Sequence, residues 1–151
     1  MTIAHVSIEN ASPWVRRFAS QIPKTGTVLD LACGGGRHSL LLAEMGYSVL
    51  AVDQCIAEIE KTANPFIRSK VLNLEEEVWP LADSKFSGIV VTNYLYRPHL
   101  DRLPEMLDKN GVLIYETFAQ GNEQFGKPSN PNFLLKTGEL LELAQRHSLK
   151  V

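Results

Sequence analysis

The sequence predicts an α/β domain built on a mostly parallel sheet with helices on both faces, and three observations predict it. Short β-branched runs alternate with amphipathic helical runs along the chain. The first of them, Thr27-Val28-Leu29-Asp30-Leu31-Ala32-Cys33, is nearly continuous in apolar residues, as a strand buried on both faces should be. It breaks at Gly34-Gly35-Gly36, and a helical apolar face (Leu40, Leu41, Leu42, Ala43, Met45) follows at once.

The elements then read in order. Ser12-Pro13 starts a helix carrying Trp14, Val15 and Phe18, expected to cover one end of the sheet, and 22–26 turns into the first strand. Gly46 stops the helix after the glycines, and Ser48-Val49-Leu50-Ala51-Val52-Asp53 is the second strand. A helix over 55–62 ends at Asn64-Pro65. Residues 67–74 form a third strand and 86–94 a fourth, centred on Ile89-Val90-Val91. A helix over 98–107 begins with a proline, Asn110-Gly111 is a turn, and 112–118 is the fifth strand. Thr137 reads as an N-cap, with Glu139 in the first turn of a last helix whose face is Leu140, Leu143, Ala144 and His147. Residues 148–151 look like the opening of a sixth strand.

Composition bounds the function. With 151 residues the chain is expected to be one domain: an entry segment over 1–25, a ligand-binding half over 26–95 and a substrate side over 96–151. A 44% hydrophobic and 21% charged composition excludes wholesale disorder. The net charge of −2 gives no general attraction to nucleic acid or acidic membrane. No apolar run reaches the ~18 residues of a membrane span, and no leader pattern is visible at the start. Two cysteines make no disulfide framework, so a cytoplasmic setting is expected. Cys33 and Cys55 read as small apolar residues, and His5, His38 and His147 have no metal-ligand spacing with them, so no metal site is expected.

In an open parallel sheet ligands bind beyond the carboxyl ends of the strands, where the strand order reverses. The first and fourth strands flank that crevice here. Gly34 and Gly36 allow positive φ and close approach of the backbone to a ligand. Asp53 ends the second strand, where a carboxylate can accept from both hydroxyls of a ribose. Alone it reads equally well as a turn residue or helix cap; beside Asp30 and the glycines it points to a nucleoside. A dinucleotide fingerprint fits less well, because its third glycine position holds Ser39 and Asp30 lies inside the strand.

The run VLDLACGGGRHSLLLAEMGYSVLAVD resembles the first motif and following strand of class I S-adenosylmethionine-dependent methyltransferases. NYLYRP, YETFAQGNEQFGKPSNPNFLL and TGELLEL are most similar to the small bacterial tellurite-resistance-like members. The resemblance implies a Rossmann-like doubly wound sheet, S-adenosyl-L-methionine as cofactor and a small-molecule acceptor such as a thiol, an oxyanion or a small metabolite. It implies that Asp30 and the backbone near Ala32 and Gly34 hold the methionine moiety, with Asp53 on the ribose and Gln54 beside the adenine. Asn73 and Leu74 match the strand end where an acidic residue often meets adenine N6; the amide of Asn73 keeps the acceptor and loses the charge. Asn93, with Thr92 and Tyr94, matches the motif facing the methyl group. The rival readings are a nicotinamide-dependent oxidoreductase and a non-catalytic, truncated cofactor-binding domain.

Methyl transfer asks mainly for orientation, so no residue is assigned as catalytic. Tyr94, Tyr96, Arg97 and His99 cluster after the fourth strand; Arg97 is the candidate partner for an anionic substrate, and Tyr96 or His99 for proton transfer, each with packing or solvation as its plain alternative. The loop over 121–132 reads as a lid, a binding loop or a disordered segment, with Phe125 and Lys127 as candidate substrate contacts. Trp79-Pro80-Leu81 reads as a packing corner. A class I sheet has seven strands, the last two forming an edge hairpin, whereas this chain stops about where the sixth begins, so its C-terminal edge reads as truncated. A homodimer through that edge is one way to cover the unpaired fifth strand.

Overall fold

A computed structural model describes residues 8–151. Five strands, β1 (Thr27–Leu31), β2 (Ser48–Asp53), β3 (Ile67–Val71), β4 (Phe86–Thr92) and β5 (Leu107–Glu116), form one sheet in the order β3-β2-β1-β4-β5. Every pairing is parallel. The order reverses between β1 and β4, so the crevice opens where those two strands end, beyond Leu31 and Thr92.

Side chains alternate across the sheet, and each face has its own cover. Leu29, Leu31, Ile89 and Val91 pack on one side against Leu100, Leu103, Leu143 and the corner Trp79 and Leu81. These come from α4 (Arg102–Glu105), α5 (Glu139–Arg146) and the segments before them. Val28, Val49, Val90 and Ile114 pack on the other side against Val15, Ile22, Leu41 and Leu42, from α1 (Pro13–Phe18), α2 (Arg37–Glu44) and the link after α1. Thus α1 covers a face, beside α2, rather than an end of the sheet. Gly88 makes that close fit: a Cβ there would lie 2.7 Å from a methyl carbon of Ile22.

Local chemistry sets the boundaries. Ser12 caps α1, its hydroxyl accepting from the Trp14 and Val15 amides at 3.2 and 3.4 Å. The helix expected over 55–62 is only α3 (Ala57–Glu60), and β3 stops at Val71 rather than 74. The expected 98–107 helix divides into a 3-10 turn at Arg97–His99 and α4, and Leu107 already belongs to β5. Pro104, with no N–H, is part of why the helical run stays short. The Asn110-Gly111 turn is real but lies inside β5: Leu107 pairs with Phe86 and Val112 with Gly88, so the residues between bulge out, with Asn110 at φ +63°. Thr137 is not the cap of α5; Gly138, at φ +78°, holds that place. Residues 148–151 form no strand: Leu149 bonds back to the Ala144 carbonyl at 2.8 Å, closing the helix end.

Candidate active site

The site begins with two left-handed residues. Ala32 (φ +54°) follows β1 and Asn93 (φ +55°) follows β4, so the adjacent strands on either side of the crevice both end in a turn that L-residues rarely adopt. Gly34 (φ +54°) and Gly36 (φ +91°) continue the first turn into α2. Their roles differ. A Cβ on Gly36 would stand 2.1 Å from Ile59 Cδ1, so this glycine exists to let α3 pack on the turn. A Cβ on Gly34 would meet nothing within 4 Å, so this one faces open space.

Asp53, partly exposed at the end of β2, takes the Gly34 amide on Oδ2 at 2.8 Å and the Cys55 amide on Oδ1 at 3.3 Å. It therefore locks the glycine turn to the neighbouring strand while each oxygen keeps a free lone pair. Gln54 beside it is exposed. Asp30 points the other way: it is 3% exposed, beneath the first turn of α2, where the Ser39 hydroxyl donates to Oδ2 at 2.6 Å. Desolvation pushes its carboxyl up to about 6, against the pull of Ser39 and Arg37. Asp30 thus braces the turn from below. Ser39 is the position that departs from the dinucleotide fingerprint, and a hydroxyl nine residues beyond a strand carboxylate was the available signal for this bond.

Asn73 is exposed, and its Oδ1 accepts the Glu75 amide at 3.0 Å, closing a small turn after β3. Leu74 is buried in the core. A cavity of about 340 Å³ lies at the ends of β4 and β5, bordered by Asn93, Tyr94 and Leu95 just after β4, Thr117 and Phe118 just after β5, Pro128 and Phe133 from the following loop, and Glu75.

The cluster after β4 separates into parts. Arg97 is not free for an anionic substrate. Its Nε and Nη2 hold Glu139 at 2.7 and 2.8 Å, and its remaining N–H groups reach the carbonyls of Pro131, Asn132 and Leu134. The side-chain bonds raise the guanidinium and lower the Glu139 carboxyl, as a fork-to-fork pair does. The loop expected as a lid is therefore pinned at its far end. Phe125 is 88% exposed, and neither it nor Lys127 borders the cavity; Pro128 and Phe133 do. His99 Nε2 donates to the Glu76 carbonyl at 2.5 Å, and the Tyr96 hydroxyl lies 3.5 Å from the Glu75 carbonyl. Tyr94 keeps a buried hydroxyl with no partner among the described residues.

A further network was not legible in the sequence. His38 is buried, and Nε2 accepts the Ser12 amide at 3.0 Å, which leaves the proton on Nδ1 for Thr92 Oγ1 at 3.4 Å. Desolvation and the Arg37 charge lower His38 to about 4, so it stays neutral. The Ser12 hydroxyl donates to Glu116 at 2.7 Å. Helix α1 is thereby tied to the ends of both β4 and β5. His5 lies outside the described residues, and among those described no group of three His, Cys, Asp or Glu side chains is placed to hold a metal.

With this geometry in place, comparison with known proteins is informative. The family model described as tellurite resistance protein TehB matches residues 13–102. YqeM of Bacillus subtilis (strain 168), a protein named as a methyltransferase, is 30% identical over 109 residues, which is 70% of this chain and 40% of YqeM. The chain therefore spans well under half the length of that curated relative. The crystal structure of a TehB-like SAM-dependent methyltransferase from Corynebacterium glutamicum shares the fold at a TM-score of 0.61 and 23% identity, over 89% of this chain and 71% of that one. TehB from Haemophilus influenzae superposes at a TM-score of 0.67 and 22% identity, over 87% and 49% of the two chains.

Proposed function

Because the chain belongs to the tellurite resistance protein TehB family, we propose that it is an S-adenosylmethionine-dependent methyltransferase acting on a small-molecule acceptor. The observation that carries the reading is the pairing of Gly34 with Asp53: a left-handed glycine facing open space, locked to a strand-end carboxylate with lone pairs to spare. That arrangement fits the cofactor. Asp53 is the residue to accept from the ribose hydroxyls, and the turn through Ala32, Gly34 and Gly36 lets the backbone approach the amino-acid end. Gln54 and the Asn73–Leu74 backbone flank the adenine side, and Asn93 faces the reacting end. Asp30 contributes from beneath, by fixing α2 and thereby the turn.

When bound, the cofactor supplies an electrophilic methyl group on a sulfonium. The protein's own work is to orient and to exclude water. Asn93 and Tyr94, at the strand end, set the boundary between cofactor and acceptor, and the loop held by Arg97 closes the acceptor side. The nicotinamide rival is disfavoured by Ser39, whose side chain and bond to Asp30 fill the place where a dinucleotide turn wants glycine.

Calorimetry with S-adenosylhomocysteine and, separately, NADH tests the reading. Tight binding of the former alone supports it; the reverse ranking overturns it. At 100 times its dissociation constant the favoured ligand should add about 2.7 kcal/mol of stability. The setting we propose is cytoplasmic, which the free thiols of Cys33 and Cys55 support. No helix among the described residues is long and apolar enough to cross a membrane. We also propose a homodimer through β5, whose outer edge pairs with no strand among the described residues. Light scattering across a concentration series that finds only monomer removes that proposal.

A further inference from the structure

The cavity at the ends of β4 and β5 has a composition that selects an acceptor class. Its volume, about 340 Å³, lies at the lower end of small-molecule sites. Its walls are mostly apolar and aromatic, with Leu95, Pro128, Phe118, Phe133 and Tyr94, and its neutral polar members are Asn93 and Thr117. Phe118 and Phe133 are 38% and 47% exposed, so their rings are left open. Glu75 is the one charged residue that borders it among the described residues. The backbone of Glu75 is fixed on both sides, its amide by Asn73 and its carbonyl facing the Tyr96 hydroxyl.

The two nearby cations, Arg97 and Lys127, do not offset this charge. Arg97 spends its guanidinium on Glu139 and three carbonyls. Lys127 precedes a bordering proline and is itself exposed outside the cavity. An oxyanion or carboxylate would therefore meet one carboxylate, several rings and only the neutral Asn93 and Thr117, with no cation among the described residues of the wall to balance its charge. A cation on an apolar body meets the opposite: a carboxylate for its N–H groups and ring faces for its charge.

We propose that this cavity holds the acceptor and that the acceptor is a small arylalkyl amine, positioned by Glu75 and by the rings of Tyr94, Phe118 and Phe133. The proposal rests on the methyltransferase reading for its chemistry, though not for its binding test. Methylation of such an amine forms one N–C bond as one S–C bond breaks, the electron pair staying on sulfur. Before the N–C bond forms, the bound ammonium gives one proton to water beside the exposed Glu75, which frees the nitrogen lone pair that attacks the methyl carbon.

The probes are 2-phenylethylamine and 3-phenylpropionate, matched in shape and opposite in charge at pH 7. Calorimetry on the full chain should show the amine binding at least tenfold more tightly than the carboxylate. Glu75→Gln should cost the amine roughly tenfold, the scale of a bond to a charged group, and should not weaken the carboxylate. Phe133→Ala should weaken the amine several-fold; both variants change exposed side chains, and melting curves check that they fold. Equal or tighter binding of the carboxylate, no binding of the amine, or an unchanged amine affinity in Glu75→Gln overturns the proposal. S-adenosylhomocysteine is titrated in parallel. If it binds while the amine does not, the acceptor class falls and the methyltransferase reading stands. If the amine binds and S-adenosylhomocysteine does not, the methyltransferase reading falls and the charge preference of the cavity stands.

Discussion

The two sides of the crevice are held in different ways. On the glycine side, Ala32 to Gly36 is fixed by neighbours at short range: Asp30 with Ser39, Asp53 with Gly34, and Ile59 against Gly36. On the side of the cavity, the wall around Phe133 is tied to the chain after β5 by the backbone bonds of Leu135 with Phe118 and Gln120, and the long-range side-chain contact comes from one guanidinium, which reaches across more than thirty residues to Pro131, Asn132, Leu134 and Glu139. The first side is braced over five residues by three separate contacts, a redundancy of support. The second concentrates five side-chain bonds on one residue, so a single substitution should loosen it without disturbing the first.

The largest expected effect probes the redundancy. Gly36→Ala places a Cβ against Ile59 and keeps a left-handed φ, so it should cost about 2–4 kcal/mol of stability. Denaturant titration measures it, and a loss below about 1 kcal/mol would mean that the turn is softer than its packing implies. Next, Asp53→Ala removes both amide bonds and the proposed ribose acceptor. Charge-assisted bonds are worth roughly 1.5–3 kcal/mol, so S-adenosylhomocysteine should bind about 10- to 150-fold more weakly while the fold survives. Unchanged affinity would remove Asp53 from the cofactor site.

Arg97→Lys should separate the two sides most cleanly. Lysine keeps the charge and loses the fork, at a cost of about 1–2 kcal/mol. Amide exchange should speed up over 131–135 and stay unchanged over 32–36, with cofactor affinity unaltered. Exchange that rises equally in both segments would show that they are one unit.

The smallest effect is a cancellation. His38 is lowered from 6.5 to about 4, so its contribution is complete above pH 6.5 and is lost as pH falls towards 4. Asp30 is raised from 3.8 to about 6, so its burial is free of cost below pH 3.8 and most costly above pH 6. The two slopes oppose one another over the same window, and wild-type stability should change by less than about 1 kcal/mol from this pair between pH 6.5 and 4. In Asp30→Asn the His38 slope stands alone, and stability should fall by about 3 kcal/mol over that range. A flat profile in the variant would show that His38 does not titrate there.

Legibility in the sequence follows the same division. The sheet, the glycine turn and Asp53 were readable because their signals are local: apolar runs, a glycine break, a carboxylate at a strand end. The boundaries that failed, at Leu107, Thr137 and 148–151, are places where a bulge, a glycine cap and a helix closure overrode propensity. Arg97 looked like a substrate ligand because its partner lies 42 residues away, in α5. Phe125 looked like a contact because loop residues show no periodicity, and only the fold decides that Phe133 is the one turned to the cavity. His38 carried no signal, since its partners Ser12 and Thr92 come from opposite sides of it in the chain.

That histidine network also sets an order of events at the ribosome. Ser12 donates to Glu116, 104 residues downstream, across an end of the sheet that exists only when β5 is in place. At roughly 5–20 residues per second, the ribosome delivers Glu116 about 5–20 s after Ser12. Helix α1 is therefore made well before its bond to Glu116 can form. Until then the face it covers, with Val28, Val90 and the Ile22 seat at Gly88, is open to whatever binds nascent chains.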